Sequence, residues 1–102
     1  MDKPNLIIRN GNVIDGSGRP SFRADIAVAR DRISKVGYVP PVEGAREIDA
    51  AGRSIAPGFI ELHTHYDTQL PCDRTASPAA EHGVTTVVAG GCSLSLAPVR
   101  KG

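Results

Sequence analysis

Gly58-Phe59-Ile60-Glu61-Leu62-His63-Thr64-His65, followed by Val84-Thr85-Thr86-Val87-Val88-Ala89, is the pair of segments on which the reading of this chain turns. The first reads as one strand. The second is a nearly continuous β-branched run, the pattern of a strand buried on both faces. Residues 66–83 lie between them, long enough to cross over between parallel strands. Within that stretch Ser77 suits a helix N-cap, Pro78 the first helical position and Gly83 the C-terminal stop. A helix so short needs tertiary packing to persist. Residues 57–102 therefore read as one β-α-β unit, the beginning of an α/β architecture.

The histidines carry the chemistry of this segment. Positions i and i+2 of a strand share a face, with α-carbons about 6.5–7 Å apart. Two imidazoles on such a base can ligate one ion at about 2.0–2.1 Å per Zn–N bond. The pair also ends a strand, where reactive groups of α/β barrels collect. His-X-His alone is also found on ordinary half-exposed strands, so the spacing leaves both readings open.

Outward toward the N-terminus, residues 1–56 have a different pattern. Leu6-Ile7-Ile8-Arg9 precedes Asn10-Gly11, the strongest two-residue hairpin signal, and Val13-Ile14 follows. Asp15-Gly16-Ser17-Gly18-Arg19-Pro20 reads as a loop. Ala24–Ala29 and Ile33–Val36 are alternating runs joined by a turn at Arg30-Asp31. Glu47-Ile48-Asp49 and Ser54-Ile55 are short strand candidates beyond Pro40-Pro41. This turn-dense, β-rich half predicts part of a β-sandwich.

Composition excludes several classes. The 102 residues suffice for one small domain and bury a modest core. Twelve Lys and Arg face 11 Asp and Glu without a basic stripe, which argues against nucleic acid and anionic membrane as partners. No apolar run approaches the roughly 18 residues of a membrane span, and the first residues make a poor signal peptide. The expectation is a soluble, cytoplasmic chain. Cys72 and Cys92 have no CxxC spacing and are expected as reduced thiols, with a disulfide left open.

Pro57-Gly58-Phe59-Ile60-Glu61-Leu62-His63-Thr64-His65 resembles the first barrel strand of the amidohydrolase superfamily. Leu6–Asp15, Asp25–Val28, Arg32–Gly37 and Ile48–Gly52 are similar, in the same order, to the superfamily's opening hairpin, next two strands and approach to the barrel. His63–Gln69, Ala76-Ser77-Pro78, His82–Val88, Gly91-Cys92 and Ala97-Pro98-Val99-Arg100 resemble the N-acyl-D-amino-acid deacylases. The resemblance implies a partial β-sandwich over residues 1–56, followed over 57–102 by the first β-α-β unit of a (β/α)8 barrel. It implies zinc as cofactor, with Cys92 as ligand and His63 and His65 lining a second, weaker metal position. Such an ion activates water and polarises the scissile amide carbonyl of a small-molecule N-acyl amino acid. Gly91 stands where the family usually carries Asn, and Leu70–Arg74 departs from the usual Trp-Asp-Pro-containing stretch. Both departures bear on acyl preference.

Other residues have plainer readings. His82 suits a helix C-terminus, Cys72 a loop, and Asp67 and Asp73 solvated acids or metal-supporting carboxylates. Cys92 by itself reads as a buried apolar residue. Gly90-Gly91 lacks the following helix that an anion-binding loop needs. A barrel takes about 250 residues, so no complete catalytic set is expected in this chain, and a general base is missing. The isolated chain is expected to be inactive, and either to associate with copies of itself or to need a complementing C-terminal polypeptide. The alternatives are a non-enzymatic β-rich oligomerising module and a fragment of a hydantoinase- or dihydroorotase-like cyclic amidohydrolase.

Overall fold

The structure is a computed structural model that describes residues 2–92. The Ala97–Arg100 motif lies outside the described residues. The chain divides into two compact units, Met1–Pro57 and the part from Gly58 onward.

The first unit is a single five-stranded sheet. Its strands are β1 (Leu6–Val13), β2 (Phe22–Ala29), β3 (Arg32–Gly37), β4 (Arg46–Asp49) and β5 (Ser54–Ile55). The order is β3-β2-β1-β4, with β5 continuing along β1 beyond β4. β1 pairs antiparallel with β2 but parallel with both β4 and β5. One face carries the core: Ile7 and Ala27 are opposite each other across β1 and β2, fully buried, and Val39 covers them with Val42 and Ala45 alongside. Burial of Ile7 alone stabilises the unit by about 1.5–3 kcal/mol. The opposite face holds an apolar groove of about 430 Å³ lined by Val13, Phe22, Ile26, Ile33, Val36 and Ile55, among others. The described residues of this unit thus supply one sheet, and the second sheet of a sandwich is not among them.

The Asn10-Gly11 hairpin expectation is corrected by the structure. β1 runs straight through this dipeptide, which forms a β-bulge between Ile8↔Ile26 and Gly11↔Ala24. Asn10 takes a left-handed conformation (φ 60°), as the dipeptide favours, but its N–H donates to Asp25 Oδ1 at 3.0 Å. The left-handed residue therefore kinks a continuous strand instead of reversing it.

The second unit pairs β6 (Phe59–Thr64) parallel with β7 (Val84–Ala89). The crossover contains one turn of helix, α1 (Tyr66–Gln69), and a 3₁₀ turn at Ala79–His82. The expected helix start at Ser77-Pro78 is also corrected. Glu81 N–H reaches Pro78 O at 3.1 Å and Gly83 N–H reaches Ala80 O at 3.1 Å, both with i→i+3 spacing. The Ser77 hydroxyl donates to Glu81 Oε1 at 2.9 Å and caps no backbone N–H. Only four residues separate Pro78 from Gly83, too few for an α-helical ladder. Gly83 ends the turn in the left-handed conformation (φ 84°), as its place in the sequence predicts.

β7 is not buried on both faces. Only Val84 and Val87 are half-buried, and the other four residues are exposed. The reason is the crossover: two single turns cover far less strand than the long helices that normally flank a parallel sheet.

Candidate metal centre

The geometry of the histidine segment starts from β6. His63 is its penultimate residue and His65 follows its last, serving as N-cap of α1 with φ −112° and ψ 34°. The His65 carbonyl accepts from Thr68 N–H at 3.0 Å, Gln69 N–H at 3.1 Å and the Thr68 hydroxyl at 2.8 Å. That triple acceptance anchors the backbone just where the strand gives way to the helical turn. Thr64, between the histidines, turns the other way: it is buried, while both histidines are exposed.

Tyr66 and Gln69 tie down the loop beyond. The buried Tyr66 donates its hydroxyl to Ala76 O at 2.8 Å, and Gln69 Nε2 donates to Ser77 O at 2.6 Å. Asp73 accepts from the Thr75 hydroxyl at 2.5 Å, Thr75 N–H at 3.0 Å and Gln69 at 3.3 Å, and these bonds, the Thr75 hydroxyl foremost, hold its carboxyl below the usual range. Of the two readings the sequence offers for Asp73, a loop acid or a metal-supporting carboxylate, these bonds favour the first.

Cys92 arrives from the other strand. Gly90 takes a left-handed conformation (φ 82°) directly after β7, and the chain turns back toward the histidines. The ligand atoms of His63, His65 and Cys92 all lie within 4.8 Å of one another, and the two imidazole rings meet edge to face with centroids 6.0 Å apart. Tetrahedral zinc at ordinary bond lengths separates its donors by about 3.3–3.6 Å. Two exposed imidazoles and a half-buried thiol therefore need only small rotations to share one ion, and the donor set is one that zinc accepts.

The structure does not bring Cys72, His82 or Asp73 into this cluster. Cys72 is an exposed loop residue whose N–H donates to Gln69 O at 2.9 Å. His82 closes the 3₁₀ turn, and Asp73 serves the loop. Among the described residues, no carboxylate joins the three donors. A hollow of about 540 Å³ is lined by first-unit residues such as Arg9, Arg23 and Tyr38, so it has no part in this chemistry.

Comparison with known proteins gives consistent neighbours. No family model matches. The chain is 44% identical over 94 residues to the D-aminoacylase of Alcaligenes xylosoxydans xylosoxydans, covering 92% of this chain and 19% of the relative. A D-aminoacylase structure concerned with a binuclear metal centre superposes with TM-score 0.86 and 45% identity, over 94% of this chain and 20% of that one. N-acyl-D-glutamate deacylase from Bordetella bronchiseptica, complexed with zinc and a phosphonate mimic of the tetrahedral intermediate, superposes with TM-score 0.87 and 37% identity, over 95% and 20%. A D-hydantoinase from a Bacillus species matches less of the chain, 61%, with TM-score 0.54. The chain spans about a fifth of the length of the relatives it matches. No helix among the described residues is long and apolar enough to cross a membrane.

Proposed function

From a chain that belongs with the N-acyl-D-amino-acid deacylases of the amidohydrolase superfamily and matches their N-terminal portion, we propose a metal-binding segment of a zinc-dependent hydrolase that cleaves the amide of N-acyl-D-amino acids. The observation that carries this reading is the convergence of His63, His65 and Cys92 within 4.8 Å, from two parallel strands far apart in sequence. Zinc, when bound, supplies Lewis acidity toward the amide carbonyl and the attacking water. This chain's part is to hold: Cys92 as thiolate and the histidines as neutral imidazoles offer three donors, close enough to serve one ion or two adjacent ones.

Turnover needs a general base within hydrogen-bond reach of the water, and no carboxylate joins the three donors among the described residues. The 102 residues by themselves are accordingly proposed to bind metal without hydrolysing substrate, the remaining groups coming from further chain or a complementing polypeptide. The hydantoinase alternative is less well supported, since that likeness covers 61% of the chain against 94–95% for the deacylases.

Metal content of the purified chain tests this directly. We expect near-stoichiometric zinc by elemental analysis. Cys92→Ser should weaken zinc binding on the order of tenfold or more, whereas Cys72→Ser should leave it unchanged. Equal losses from the two substitutions, or no zinc in the unmodified chain, would remove the assignment.

A further inference from the structure

The backbone pairing of β6 with β7 is irregular where the histidines begin. The offset between paired residues is 25 at Phe59↔Val84, 26 at Ile60↔Thr86 and 25 again at Thr64↔Ala89. From Glu61 to Thr64, β6 therefore advances three residues while β7 advances two from Val87 to Ala89, and Leu62-His63 forms a bulge. Bulges re-aim side chains and leave backbone groups without ladder partners, which must find others. Here they find two side chains. The His63 N–H donates to Glu61 Oε1 at 3.0 Å, and the Val88 carbonyl accepts from the Thr64 hydroxyl at 2.9 Å. Thr64 is 8% exposed and is the buried polar residue of the described chain. The arm bearing Cys92 lies against the same bulge, because a Cβ added at Gly91 would stand 3.0 Å from the Leu62 carbonyl oxygen.

We infer that Thr64 and Glu61 are positioning residues, which lock the β6 bulge so that His63 and His65 face the Cys92 thiol. The inference rests on the metal-binding reading above. A one-residue slip in a strand moves every side chain to the opposite face. Without the Thr64–Val88 bond the bulge is free to migrate along β6, and migration past His63 takes its imidazole out of the cluster. Thr64 contributes no ligand atom; it acts through the histidines on either side.

Cobalt(II) titration of the full chain reads this out, because the thiolate–cobalt charge-transfer band reports Cys92 and the visible d–d bands report the coordination geometry to which the imidazoles contribute. Thr64→Val keeps the shape and removes the donor. It should weaken cobalt binding by about 10–100-fold, the range for residues that orient metal ligands, and diminish the band. Thr64→Ser should restore both. Glu61→Ala, at an exposed position that does not threaten folding, should weaken binding in the same direction, and Glu61→Gln, which keeps the acceptor oxygen, should restore it. A merely structural threonine would lower the melting temperature but leave the affinity and spectrum of the folded chain alone. If Thr64→Val fails to fold, the Glu61 pair decides. Unchanged affinity and band in both Thr64→Val and Glu61→Ala overturn the positioning role and leave the metal site standing. An unmodified chain that takes up no cobalt overturns the metal site and this inference with it.

Discussion

The Arg9 guanidinium donates to Asp25, Glu47 and the Val39 carbonyl, and so closes the end of the core that Ile7, Ala27 and Val39 fill. Asp25 also accepts from Asn10 N–H at 3.0 Å and Val39 N–H at 3.3 Å. The Asn10 bond foremost, followed by the Val39 bond and Arg9, holds the Asp25 carboxyl below its ordinary range against the opposing effect of burial. Bonds from the Ser17 hydroxyl and N–H, then Arg19, lower Asp15 to about 2. A carboxylate whose folded pKa is depressed contributes stability above its unfolded value, and that stability is lost as pH falls through the folded value. The melting temperature should therefore fall as pH drops below about 4, the ordinary aspartate range. Asp25→Asn should flatten that slope and lower the neutral-pH melting temperature by about 4–8 °C, equivalent to about 1 kcal/mol in a domain this size. Circular dichroism melts across pH check both, and an unaltered slope would mean that Asp25 is not the linked group.

At the scale of elements, the β1 bulge and its neighbours decide how the first sheet closes. A Cβ at Gly11 would overlap the Ile55 side chain of β5 and lie 3.6 Å from Ala50 Cβ. Gly11→Ala should destabilise the chain by about 1–3 kcal/mol by overpacking, seen as a lower urea midpoint. Asn10→Gly should be tolerated, because the position needs only positive φ. If Gly11→Ala is silent, β5 does not sit against β1 as described. The Asn10-Gly11 dipeptide announces a left-handed residue but not its use. A hairpin and a bulge share that local conformation, and Asp25, fifteen residues on, selects the bulge. β7 teaches the same lesson from the other side. Its β-branched run is legible as a strand, yet its burial depends on what covers it, and the short crossover leaves most of it exposed.

At the scale of the whole molecule, the open surfaces of each unit matter most. Phe59, Ile60 and Leu62 on β6 are 64–68% exposed, and Ile33 on β3 is 65% exposed. Exposed apolar strand residues and unpaired strand edges promote association between chains. Sedimentation of the purified chain should therefore show concentration-dependent self-association, and Ile60→Glu should shift it toward monomer. A chain that stays monomeric at all concentrations would count against β6 as the associating surface. This behaviour belongs to a chain that spans about a fifth of its relatives, whose own β6 counterparts lie within much longer polypeptides.

Local chemistry in the sequence was enough to identify the strands Ala24–Ala29, Ile33–Val36 and Val84–Ala89, the stop at Gly83, and the ancestry carried by Pro57–His65. Each depends on side chains adjacent along the chain: alternation, β-branching, a glycine's freedom at positive φ. Only the tertiary structure decided that β4 and β5 run parallel to β1, that Asn10 kinks a strand, that two bulges shift the β6–β7 register and reset it, and that Thr64 braces the strand between two histidines. It also brought Cys92 to His63 and His65. These depend on hydrogen bonds and packing between residues 15 to 42 positions apart, whose partners no local pattern specifies.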